Sequence, residues 1–251
     1  MSSRLHTISF AAILCIVCSA LLTLASTGLK QYQLQNMATD RMKNILKSAG
    51  LIHPEEKTTP ATIHARYADN IEKGWVDAKG NLITETQKEE HDLPVYLHLV
   101  DGKMKSYILP VQSKGLWGKI YGYISLDSDG TTVAGFTVYS HNETPGLGGE
   151  IEKAWFQNNF KGKKITADDG KFVSVAIAKG KAENTSDPDG LANRVDGISG
   201  ATLTGRYLTA GLKETLIRYE DFSRKIRNGD RDGPGEGVWD RIRQLFKRSE
   251  P

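Results

Sequence analysis

The chain has 251 residues, of which 39% are hydrophobic and 25% charged, with a formal net charge of +3. That length holds one soluble domain of ordinary size plus a membrane segment. The charge is too mild, and Lys and Arg are too scattered, for a nucleic-acid surface, so no nucleic-acid partner is expected.

After a tail over 1–7, residues 8–25 hold no charged side chain. Eighteen residues lie near the low end for a spanning helix, and the uncharged Ser26 and Thr27 extend the run, so a transmembrane helix is expected over 8–27. A cleaved signal peptide is the rival reading. The apolar run is long for one, and Ala25-Ser26-Thr27 is a mediocre cleavage site, which favours an uncleaved anchor. Arg4 lies on one side of the run and Lys30, Arg41 and Lys43 on the other. Charge bias therefore does not set the orientation, and mildly opposes a cytoplasmic N-terminus. The only cysteines, Cys15 and Cys18, fall inside this run. Their spacing puts them on one helical face, where two small apolar residues in lipid are a better account than a metal or redox pair.

Residues 30–49 read as a helix ending at Gly50, and the polar stretch 53–92 is expected to wander over the surface. Residues 93–100 read as a strand, Asp101-Gly102 as a hairpin signal, and 104–111 as the returning strand. A second strand pair is expected over 119–126 and 131–139, joined by Asp127-Ser128-Asp129-Gly130. That turn lacks the remaining ligands of a calcium loop. A short helix over 150–160 and a strand over 171–178 follow. Next comes a helix starting after Ser199, a good N-cap, with Leu208, Leu212, Leu216 and Tyr219 along one face. The sum is an α+β fold, a mostly antiparallel sheet with flanking helices, preceded by one N-terminal transmembrane helix. The domain is expected over 30–226. Residues 227–237 read as a flexible linker. Beyond it Val238, Trp239, Ile242, Leu245 and Phe246 share a helical face opposite Arg241, Arg243 and Lys247. Such a basic amphipathic helix suits a membrane surface or a partner, or packs back on its own domain. No zinc spacing, Walker motif, hydrolase elbow or dinucleotide fingerprint is present, and no metal site is expected.

Two runs carry chemistry. The first is Asp196-Gly197-Ile198-Ser199-Gly200-Ala201-Thr202-Leu203-Thr204. Small residues at Gly200 and Ala201 let another enzyme approach the backbone. Thr204 falls in the first turn of the expected helix, where a phosphate would meet free N–H groups and the positive end of the dipole. The second run is His141-Asn142-Glu143-Thr144-Pro145-Gly146-Leu147-Gly148-Gly149-Glu150. It reads as a tight glycine-rich turn in which Leu147 either packs on a flat ring or plugs the core. His141 beside Glu143 could form an acid–base pair, but a structural hydrogen-bonding role is the expectation.

The first run resembles the D-x-x-S-G-A-T-x-T motif of proteins that carry FMN covalently. The resemblance implies a phosphoester between FMN and the hydroxyl of Thr204, with Ser199, Gly200, Ala201, Thr202 and Leu203 around it. The second run resembles the H-x-E-T-P-G-L-G-G-E loop of the C subunit of the Na⁺-translocating NADH:quinone reductase, a bacterial respiratory complex. Lys114-Gly115-Leu116-Trp117-Gly118, Tyr121-Gly122-Tyr123-Ile124-Ser125-Leu126-Asp127 and the run from Lys43 to Leu51 are similar too, so the likeness covers roughly 8–221. It adds Glu143, Thr144, Gly146, Leu147, Gly148 and Trp117 to the expected FMN site. The G subunit of the homologous Rnf complex shares the flavin motif and a similar loop. Gly149 and Glu150, with the Gly-Leu-Trp run, favour the sodium-pump family.

The resemblance implies an electron-transfer subunit without an NADH site of its own. Electrons would pass from an iron–sulfur centre in the membrane subunits to its FMN, and on to a second FMN on the B subunit. The B, D and E subunits of the six-subunit complex are the expected neighbours. It also implies a Mg²⁺-dependent flavin transferase that consumes FAD and releases AMP, for whose recognition Asp196 and Ser199 are candidates. The expected location is the bacterial inner membrane, single-pass, with the large domain periplasmic. An Rnf-type subunit and a non-redox periplasmic FMN-binding module are the alternatives.

Overall fold

The computed structural model describes residues 2–53, 56–184 and 188–229. One helix, α1 (Ser2–Ser48), runs unbroken through the apolar stretch and the segment that follows it. No proline interrupts it, and it begins inside the expected tail. Its apolar window has a mean hydropathy of 2.5, long and apolar enough to cross a membrane. Residues 1–41 form one unit and residues 42–251 another. In the first, the large apolar side chains, among them Ile8, Phe10, Leu21 and Leu24, are exposed.

The second unit is organised by a six-stranded sheet. Its strands are β1 (Ile71–Val76), β2 (Leu82–Ile83), β3 (Leu93–Val100), β4 (Lys103–Lys114), β5 (Lys119–Asp127) and β6 (Val133–Ser140). They lie in the order β2-β1-β3-β4-β5-β6, and every neighbouring pair is antiparallel. Both expected hairpins are present, with Asp101 and Gly102 at positive φ in the first turn and Gly130 N–H bonded to Asp127 O in the second.

Of the stretch expected to wander over the surface, residues 60–83 instead carry a helix and two strands. Thr59 caps α2 (Pro60–Asn70) by accepting from the Thr62 N–H, and Pro60 sits at the first helical position, where its missing N–H costs nothing. The chain then enters β1, which pairs with β3 from Ile71 opposite His98 to Val76 opposite Leu93. Glu72, Lys73 and Gly74 interrupt the apolar alternation and hide this strand. Pairing with β3 makes it, and Ile71, Trp75 and Val76 are buried by that pairing.

Alternation along the strands fills two cores, one on each face of the sheet. Tyr107, Leu109 and Val111 of β4 pack with Leu208, Leu212, Leu216 and Tyr219, and with Phe222. The last five of these lie on or between α4 (Thr202–Arg218) and α5 (Glu220–Asn228). The intervening Ile108, with Tyr123 of β5, packs instead against Ile45, Leu46 and Ile63. Two phenols tie the helices to the sheet. Tyr107 donates to Ser223 Oγ at 2.7 Å, and Tyr219 donates to Pro94 O at 2.6 Å.

Between β6 and α4 two expectations change. The helix over 150–160 is split into a 3-10 turn (Gly148–Glu152) and α3 (Ala154–Asn158). The strand over 171–178 shrinks to β7 (Ala176–Ile177), paired in parallel with β8 (Arg194–Val195). Ser174, at φ +74°, breaks the extended run. At the other end α5 extends past 226 and closes on Gly229 in the left-handed conformation. The expected amphipathic helix beyond residue 237 lies outside the described residues.

Leu212 is fully buried where α4 meets the sheet. Leu212→Ala should lower the unfolding free energy by about 3 kcal/mol, measured by urea unfolding of the detergent-solubilised chain. A loss under about 1 kcal/mol, the size of a surface change, would contradict this packing.

Candidate functional site

The site is built around the N-terminal turn of α4. Ser199 does not cap this helix. Gly200, at φ +73°, turns the chain first, and Ala201 takes the N-cap position without a side-chain hydrogen bond. Ala201 N–H closes that turn on Ile198 O at 3.1 Å. Thr204 is thus the third helical residue and does lie in the first turn, where backbone N–H groups have no partner within the helix. Ser199, Gly200, Thr202 and Leu203 lie at or near the surface, whereas Ala201 and Thr204 are buried.

Thr204 is only 2% exposed, and its hydroxyl donates to Glu143 Oε2 at 2.5 Å. Glu143 is 5% exposed, and its other oxygen accepts the Trp117 N–H at 3.0 Å. Its own N–H donates to His141 Nδ1 at 3.1 Å. With Nδ1 accepting, the imidazole proton sits on Nε2, which lies 3.3 Å from Glu152 Oε2. His141 is therefore a hydrogen-bonding strut for the loop, as expected.

The loop has the geometry its residues ask for. Leu147 N–H bonds to Thr144 O at 3.1 Å across Pro145 and Gly146. Proline second and a glycine at φ +74° third are the marks of a type II turn. The turn brings Gly148 against Thr204 so closely that a Cβ there would lie 2.6 Å from Thr204 Oγ1 and 2.7 Å from Glu143 Oε2. Only glycine permits that approach. Leu147 is 44% exposed, so it does not plug the core; its Cδ2 rests over Gly200, 2.8 Å from where a Cβ would stand. Two runs separated by 61 positions thus meet twice, at Glu143–Thr204 and at Leu147–Gly200.

Apolar side chains stand open nearby on the runs that meet here: Leu147, Leu203, and Trp117, whose ring is exposed although its N–H is engaged. Beside α4 lies a cavity of about 220 Å³ lined by Ile198, Ala201 and Thr202 and, on its cationic side, by Lys179 and Arg206. Sequence reasoning missed both cations. Arg206 follows the motif by two residues and was within reach, but Lys179 arrives only through the β7–β8 pairing. Asp196 accepts the Ala182 N–H at 2.8 Å and pairs with Lys181 Nζ at 2.7 Å, bracing the strand that precedes the motif.

In chemistry the site fits a flavin phosphoester. It offers a hydroxyl at a helix N-terminus, glycine-flattened backbone and open apolar side chains for a ring. The hydroxyl is enclosed by Gly148.

Comparison with known proteins points to FMN and to one respiratory complex. The FMN-binding domain family matches residues 115–217. The C subunit of the Na⁺-translocating NADH-quinone reductase of Yersinia pestis is 31% identical, over 89% of this chain and 93% of its own length. The Pseudomonas aeruginosa protein of the same name is 33% identical, over 91% of this chain and 98% of its own length. The crystal structure of the same subunit from Parabacteroides distasonis superposes with a TM-score of 0.66 at 35% identity, covering 78% of this chain and 96% of that one. Shewanella oneidensis NqrC, at 22% identity and a TM-score of 0.60, shares the fold.

The brace at Asp196 has a pH signature. The Ala182 N–H first, and then Lys181, hold its carboxyl below the usual carboxylate range. Its contribution is present above an unfolded value near about 3.9 and is lost as pH falls through the lower native value. Asp196→Asn should therefore lower stability at neutral pH and lose less than the wild type on acidification below about pH 4. Parallel urea curves for the two proteins across that range would contradict it.

Proposed function

The chain belongs to the family of the Na⁺-translocating NADH-quinone reductase C subunit, and on that premise we propose that it carries FMN as a phosphoester on Thr204 and relays electrons within a Na⁺-pumping complex. The observation that supports this most is the convergence of the two motif runs on one hydroxyl at the start of α4. Bound FMN supplies one- and two-electron redox chemistry that no side chain here can provide.

The chain's own residues attach, orient and shield. Thr204 would supply the ester oxygen, and the first-turn N–H groups from Thr202 onward would be donors for a phosphate held there. Ser199, Gly200 and Ala201 keep the backbone low around it. Leu147 and Leu203 offer apolar cover for the ring, with Trp117 beside the loop. Thr144, Gly146 and Gly148 shape the turn that carries Leu147, and Glu143 holds that turn to the helix. A tether also keeps the cofactor from diffusing away outside the cytoplasm.

In the assembled complex, FMN held at Thr204 would relay electrons between an iron–sulfur centre of the membrane subunits and the FMN of the B subunit. The B, D and E subunits are the neighbours, and NADH binds elsewhere. Residues 8–27 span the inner membrane, and the domain that follows from residue 30 lies in the periplasm. Attachment is made by a Mg²⁺-dependent flavin transferase using FAD. Ser199 lies near the surface, where that enzyme can meet it, and Asp196 presents the brace that fixes the motif's entry. The relatives at 31% and 33% identity are C subunits of the sodium pump, which favours this reading over an Rnf-type subunit. Reduction of the bound flavin by NADH in the assembled complex separates it from a non-redox module.

Thr204→Val keeps the side chain's shape and removes the hydroxyl. Chain made with the transferase should lose its fluorescent band on denaturing gels, while Thr204→Ser keeps part of it. A full band in Thr204→Val would overturn the attachment site.

A further inference from the structure

We propose that Glu143 is the general base for attachment of FMN, supplied by the acceptor protein itself. This rests on the reading of Thr204 as the acceptor. A threonine hydroxyl does not attack a phosphorus centre until its proton has somewhere to go. A base must lie within hydrogen-bond reach of that hydroxyl, and Glu143 Oε2 already accepts from Thr204 Oγ1, the two oxygens 2.5 Å apart.

The carboxyl is placed for this from three separate parts of the chain. The turn between β4 and β5 holds Oε1 through the Trp117 N–H. His141 holds the backbone through the Glu143 N–H. Thr204 occupies Oε2 from α4. The two partners of its oxygens are neutral donors, a hydroxyl and a peptide N–H. A carboxylate at 5% exposure set against neutral donors is an expensive way to pin a loop. It is the group needed where a proton must be received.

Access comes from the turn. Gly148 covers Oγ1, and Leu147 lies over Gly200. Both follow Gly146, which is exposed with open space around it, so the turn can lift there. Glu143 lies on the near side of Pro145 and keeps its holds on Trp117 and His141 while the turn moves. Thr204 Oγ1 then bonds to the flavin-side phosphorus of FAD as its proton passes to Glu143. The bond from that phosphorus to the bridging oxygen breaks, and AMP leaves with the electron pair. Glu143 releases the proton to solvent. Nothing is oxidised or reduced, and charge balances: a pyrophosphate dianion gives a phosphodiester monoanion, an AMP dianion and one proton.

The test uses the full-length chain, purified in detergent without flavin, with transferase, Mg²⁺ and FAD. The rate of appearance of the fluorescent band is measured against acceptor concentration to separate kcat from KM. Glu143→Gln keeps a hydrogen-bonding side chain facing Thr204 but removes the base, so kcat should fall by about 10²–10³-fold with KM little changed. Wild-type kcat in Glu143→Gln would overturn the proposal. So would a raised KM at unchanged kcat, which would make Glu143 a shaper of the docking surface. Should Glu143→Gln not fold, Glu143→Asp decides. Its carboxyl falls short by one methylene, so kcat should drop at unchanged KM, and wild-type kcat there overturns the proposal. Thr204→Val is run alongside. Labelling lost in Thr204→Val but undiminished in Glu143→Gln overturns the role of Glu143 alone. Labelling that survives Thr204→Val overturns the acceptor assignment and the base with it.

Discussion

One hydrogen bond, from the Thr204 hydroxyl to Glu143, holds this site together, and much of the surrounding geometry is what that bond requires. Its partners lie 61 positions apart, so neither run forms the site alone. For the bond to close, the 144–147 turn must fold the chain tightly, and Gly148 must lie where any side chain would strike Thr204. The start of α4 must also stay open, which it does because Gly200 turns the chain and Ala201 caps without a side chain.

The sheet supplies the stiffness. The β4–β5 turn delivers the Trp117 N–H, and β6 leads directly into the His141–Glu150 loop. On the same sheet α4 is seated by Leu208, Leu212 and Leu216 and pinned where Ser113 Oγ donates to Tyr207 O at 2.7 Å. Three elements anchored in one core therefore converge on a single carboxyl. Local sequence shapes each end, and packing sets the distance between them.

The sequence makes plain whatever depends on near neighbours. The β3–β4 and β5–β6 hairpins follow from alternating residues and their turn signals, and the buried face of α4 follows from its leucine spacing. The type II turn is written in Pro145-Gly146. What it hides depends on distant partners. β1 is a strand because β3 pairs with it, despite Glu72, Lys73 and Gly74. The strand expected over 171–178 fails at Ser174, whose left-handed backbone no residue type announces. Ser199 looks like a cap, but the positive φ at Gly200 displaces the helix start. The motifs identify Glu143 and Thr204 separately; their contact exists only in the fold.

Thr202 and Thr204 are both hydroxyls of the same turn, yet Thr202 is exposed and Thr204 buried against Glu143. Accessibility alone would select Thr202. Contact with a base selects Thr204, whose hydroxyl alone of the two is bonded to Glu143. Proteolysis of the protein matured with its transferase, followed by fragmentation mass spectrometry of the peptide spanning both residues, separates the two directly. The expected increment is the mass of FMN less one water, carried on Thr204. The same increment on Thr202, or an unmodified peptide from flavin-bearing protein, would contradict it.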